Sequence, residues 1–108
     1  MRRSNAPAPG RGIRLESVVE FRHLPGGDLI AKGLADLAHG LESDEALLVS
    51  IGAARLRSRG ISVASSLPNA DHRLYERLAR EDQDSAHSRY NGLLRRLTSF
   101  ESALECVA

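Results

Sequence analysis

Near its C-terminus the chain reads "HSRYNGLLRRLTSF", from His87 to Phe100. This stretch places Arg89, Arg95 and Arg96 close together, with no acid between Ser85 and Phe100. A guanidinium group is a permanently charged fork that matches carboxylate and phosphate geometry. On a helix, Arg89 and Arg96 stand about two turns apart and nearly in line, with Ser85 and Gly92 on the same track. Ser88, Asn91, Arg95, Ser99 and Ser102 run beside them, and His87, Tyr90 and Asn91 crowd the first turn. The chemistry this suits is recognition of an anionic partner, either phosphates or a cluster of carboxylates. The plainer alternative is a solvated helix face, the usual role of such charge.

Catalytic patterns are weaker. Arg80 and His87 have the spacing Arg-x6-His, which resembles the pair used by helical HEPN-type ribonucleases. That use requires both on one face of a continuous helix, and "EDQDS" between them reads as a break. Two-residue patterns also arise by chance. His23, His39, His72 and His87 lie far apart without paired acids at ligand spacing, so no metal site is expected. Cys106 is the only cysteine, and along one helix it lies about 28 Å from His87, too far for a nucleophile pair. "LPGGD" is a turn before a helix, not a phosphate cradle. No pattern requires a cofactor, and no enzymatic activity is expected of the chain alone.

These residues must be carried by a small scaffold. The chain has 108 residues, 42% hydrophobic and 27% charged, with 4% aromatic and no Trp. One core of Leu, Ile, Val and Ala follows, and helices packing on helices suit it better than a sheet. A net charge of +1 exerts no general pull on nucleic acid, so electrostatics must act through local patches. Lys32 is the only lysine among 15 basic residues. A single cysteine gives no disulfide framework, and no run approaches the roughly 20 apolar residues that span a bilayer. "RR" at Arg2 and Arg3 lacks the apolar stretch of a signal sequence. A cytoplasmic protein without membrane contact is expected.

Along the chain, residues 1–12 ("MRRSNAPAPGRG") hold arginines, prolines and glycines but no acid, which predicts a disordered basic arm. Residues 13–108 are expected to form a single helical domain. Leu15, Val18, Val19 and Phe21 fit a helix turn or a strand equally. Pro25, Gly26 and Gly27 then punctuate the chain before a helix over about 28–39 that stops at Gly40. Ser43 is placed to cap a second helix, apolar on all sides from Ala46 to Ala54, ending at Gly60. Arg55, Arg57 and Arg59 form a basic cluster in its last turns, where cations favour the helix dipole. A buried strand at "ALLVSI" is the alternative there.

Asn69 caps a third helix with Leu74, Leu78 and Ala79 inward and a Glu76–Arg80 pair outward. Asp84 or Ser85 caps the last, in which Tyr90, Leu93, Leu94, Leu97, Phe100 or Glu101, Leu104 and Val107 make the apolar stripe. Leu93, Leu97 and Leu104 are expected to face the core. The fold class is therefore all-α, a bundle of about four helices with an N-terminal arm.

The segments "GLADLAHGLESDEALLVSIGAARLRSRGI" and "HRLYERLAREDQDSAHSRYNGLLRRLTSFESALE" resemble the antitoxin partners of bacterial nucleotidyltransferase toxins, of the mycobacterial kind. The likeness spans about Asp28 to Glu105 and is most marked over His87-Ser88-Arg89-Tyr90-Asn91 and the following Leu93 to Phe100. It implies a protein that binds and silences an enzyme adding nucleotides to tRNA. The Gly-Ser element and paired aspartates of the toxin itself are missing from this chain. On that resemblance His87, Ser88, Arg89, Tyr90, Asn91, Arg95 and Arg96 are the partner-binding residues. The arginines would pair with carboxylates of the toxin site or cover the path of its RNA. A small nucleic-acid binder using the arm and the Arg55–Arg59 cluster remains the third possibility.

Overall fold

The computed structural model describes residues 23–107, all of them helix or connecting turn, with no strand among them. The basic arm over 1–12 and the undecided segment around Val18 lie outside the described residues. Five helices follow in order: α1 (Gly27–Ala38), α2 (Asp44–Ile51), α3 (Ala53–Ser58), α4 (Ala70–Glu81) and α5 (Ala86–Val107).

Local chemistry sets most of the boundaries. Gly26 takes a left-handed φ of +74° at the start of α1, and Asp28 in the first turn favours the positive end of the helix. At the other end Gly40 (φ +70°) closes a Schellman turn. Its N–H donates to the Leu37 carbonyl and that of Leu41 to Asp36. Ser43 then caps α2, its hydroxyl oxygen accepting from the Ala46 N–H at 3.0 Å. The same hydroxyl donates to Asp36 at 2.6 Å, which links the end of α1 to the start of α2. Hydrogen bonds from Lys32 and Ser43 hold the Asp36 carboxyl below the usual range.

α2 is the centre of the bundle, in contact with α1, α4 and α5. Ala46, Leu47, Leu48 and Val49 are all buried, as a helix apolar on every side requires. The expected single helix from Ser43 to Gly60 is interrupted at Gly52 (φ −93°, ψ 9°), so the described residues form five helices where about four were expected. The interruption is one residue wide. Leu97 and Glu101 of α5 press on Gly52, and a methyl group there would lie 2.9 Å from Glu101 Oε2. Glycine thus admits the neighbouring helix and gives up regular geometry at that point. A second Schellman turn ends α3: Gly60 donates to Arg57 and the buried Ile61 to Leu56.

Two expectations about α4 need correction. Asn69 does precede α4, but at φ 51° its side chain makes no cap hydrogen bond. Its left-handed backbone supplies the turn instead, a conformation asparagine tolerates better than most residues. The Glu76–Arg80 pair does not form; Glu76 lies 3.2 Å from His72 Nε2, on the preceding turn. Leu74 and Leu78 are buried on α4 and Ala79 is half-buried. Between α4 and α5 the Asp82 carboxylate accepts from the Asp84 N–H and the Ser85 hydroxyl, folding the acidic run into a turn. Ser85 stands just before α5, and its carbonyl takes the Arg89 N–H. On α5, Leu97, Phe100 and Leu104 are buried and Leu93 is half-buried.

The close approach of α1 to α2 at Gly33 predicts a large response to a small change. A methyl group on Gly33 of α1 overlaps the Glu45 carbonyl of α2 and lies 2.5 Å from Val49 Cγ2. Gly33→Ala gains up to about 1 kcal/mol of helix propensity. Backbone cannot move aside as a side-chain tip does, so overpacking of about 1–3 kcal/mol outweighs that gain. Urea unfolding should show a lower midpoint for the variant. A midpoint above wild type would mean that α1 and α2 are not this close.

Candidate functional site

A helix turns through about 100° per residue, so the seven expected binding residues do not share one face. Arg89 and Arg96 lie on one flank of α5 and, with Gly92 and Leu93, line a cleft of about 350 Å³ that also touches Asp44 and Glu45. Asn91 and Arg95 line a separate shallow depression with Leu94 and Thr98. His87 belongs with Asn91: in the neutral ring with its proton on Nδ1, the Asn91 amide donates to Nε2 at 3.2 Å.

The arginines differ in what they already hold. Arg89 Nη2 lies 2.8 Å from Glu81 at the end of α4, so this charge has a local partner. That corrects the reading of an acid-free arginine face, because Glu81 reaches across the turn from the preceding helix. Arg96 shares its cleft with two acids that are engaged elsewhere. Asp44 pairs with Arg77 at 2.8 Å, and Glu45 lies 3.5 Å from Lys32. Arg95 and Arg96 are both exposed and form no ion pair with any described residue. They are adjacent in sequence and point to neighbouring sectors of a 22-residue helix.

The other members of the expected set serve the fold. Ser88 donates to the Ser85 carbonyl at 3.1 Å, a bond within the first turn. Tyr90 is half-buried and packs edge-on to Tyr75 of α4 with ring centres 5.5 Å apart. Burial, with a smaller contribution from the charge of Asp71, raises the Tyr90 phenol above its ordinary range. His87 meets the same Tyr75 ring at 6.5 Å. Tyr75, exposed on α4, is therefore the centre of an aromatic patch joining α4 and α5. Nothing in the sequence marks it, since an isolated exposed tyrosine carries no periodic signal.

Arg80 and His87 sit on different helices, separated by the turn at Asp82–Ser85. The premise of one continuous helix, on which the ribonuclease reading depended, does not hold. The basic cluster after α2 is likewise divided. Arg59 pairs with Glu105 at 2.7 Å, Arg57 donates to the Val63 carbonyl, and Arg55 stands apart beside Glu101. No group of three or more His, Cys, Asp or Glu side chains among the described residues is placed to hold a metal ion.

One residue that the sequence left ambiguous has a distinct environment. Phe100 and Glu101 compete for the apolar stripe, and both are buried: Phe100 is 0% exposed and Glu101 9%. Burial pushes the Glu101 carboxyl up, against the opposing pull of the Arg55 charge. An acid whose folded-state pKa is raised holds its proton more tightly in the folded protein. Its unfavourable contribution is full above the folded-state pKa and fades as the pH falls through it. Glu101→Gln should therefore stabilise the protein at neutral pH, by removing a charge that burial disfavours. The gain should shrink on acidification. Thermal melts at both pH values test this, and equal melting temperatures throughout would place the carboxylate in contact with water.

No family model, curated protein or solved structure matches the chain. Among the described residues, no helix is long and apolar enough to cross a membrane.

Proposed function

We propose that the chain is an antitoxin: it binds a cognate nucleotidyltransferase toxin that acts on tRNA and silences it by protein–protein contact near the active site. The observation that carries the reading is the pair Arg95 and Arg96, exposed on a 22-residue helix with no counter-ion in the described fold. Charges not used within the fold are available to a partner. A nucleotidyltransferase site is rich in carboxylates that hold metal and nucleotide, and guanidinium forks are suited to engage them. The resemblance over Asp28 to Glu105 supports the same assignment. Arg89 has a lesser part in this reading than the sequence implied, because Glu81 already engages it.

The test is co-expression with a nucleotidyltransferase toxin encoded beside it. Growth should be restored, and the two chains should co-purify as a complex. A toxin that stays fully active with this chain in excess would overturn the proposal.

A further inference from the structure

On α5 the arginine cleft is not the only concave surface. A depression of about 390 Å³ lies where the α2–α3 junction meets α5, walled by Ile51, Leu94 and Leu97 and lined by Glu101. Glu101 is 9% exposed and makes no hydrogen bond or ion pair with any described residue. Arg55, at the rim, interacts with it only through its field. Gly52 leaves the space beside the carboxylate open, since a methyl group there would lie 2.9 Å from Oε2.

A desolvated carboxylate without a donor is unfavourable, and either a proton or an outside cation relieves it. The apolar walls fit the alkyl stem of a long basic side chain, whose head would then reach the acid. Two further shallow depressions adjoin it: one shares Leu94 and Thr98 and reaches Asn91 and Arg95, and the other shares Ile51 and reaches Leu67 and Asp71. Three adjoining depressions suit a polypeptide segment better than an isolated small amine.

We infer that this depression is a socket for a basic side chain of a protein partner, an arginine or lysine whose stem lies on Ile51, Leu94 and Leu97 and whose head pairs with Glu101. The pairing with Glu101 does not involve Arg95 or Arg96, so it stands whichever partner those residues meet.

The probe is N-acetyl-Leu-Arg-Leu-amide titrated into the full chain and followed by NMR. Its citrulline analogue has nearly the same shape without the charge. Saturable shifts should centre on Ile51, Gly52 and Leu94. The citrulline peptide, and Glu101→Gln with the arginine peptide, should each bind about tenfold more weakly or worse. Shifts centred elsewhere, no saturable shifts, or equal binding by the citrulline peptide would overturn the inference. Agmatine binding as tightly as the arginine peptide would assign the socket to free amines and overturn the protein partner. The citrulline arm uses only the wild-type chain, so it decides even if the variant folds poorly.

Discussion

Phe100→Ala should cost about 3–5 kcal/mol of stability, the largest loss expected from any single substitution considered. Phe100 is 0% exposed and is among the largest fully buried side chains in the described residues. It belongs to the cluster that α2, α4 and α5 build together, with Leu47, Leu48, Leu74 and Leu104. Truncation removes the transfer energy of the ring and leaves a cavity that rigid helices cannot fill. In a domain stabilised by only about 5–15 kcal/mol, that is a large share. Urea unfolding should show a large fall in midpoint. A loss below about half a kcal/mol would mean that the register of α5 is wrong.

The features that the sequence made legible are those decided within a few residues. Ser43 is a cap because its hydroxyl reaches Ala46 three positions on. Gly40 and Gly60 end helices because they take left-handed φ at no steric cost. The α5 stripe follows from helical period alone. The features that escaped depend on neighbours distant in sequence. The break at Gly52 and the burial of Glu101 express one event, the close approach of α5 to the α2–α3 junction. The pairing of Arg89 with Glu81 requires knowing that the acidic run folds back over the start of α5. Asn69 was the right residue for a different reason, since backbone conformation and not its side chain starts α4. The seven expected site residues all lie on α5. Their division among separate surfaces, however, depends on what α4 and α2 place beside them.

The second large effect concerns the partner. Reversing Arg95 and Arg96 to Glu should weaken the toxin complex by roughly 2–5 kcal/mol if each charge pair is buried at the interface. These two positions make the cleaner variant, because neither forms an ion pair with a described residue. Arg89→Glu would face Glu81 across the turn and confound lost binding with local repulsion. The melting temperature of the double variant should stay near wild type, since exposed charges without partners contribute little to folding.

The most direct measurement is a titration of toxin nucleotidyltransferase activity with wild-type protein and with the Arg95→Glu/Arg96→Glu variant. Wild type should extinguish the activity as it reaches saturation. The variant, folded and melting normally, should leave most of the activity intact at the same concentration. Equal inhibition by the two proteins would contradict the account, and would show that Arg95 and Arg96 are solvated and silent.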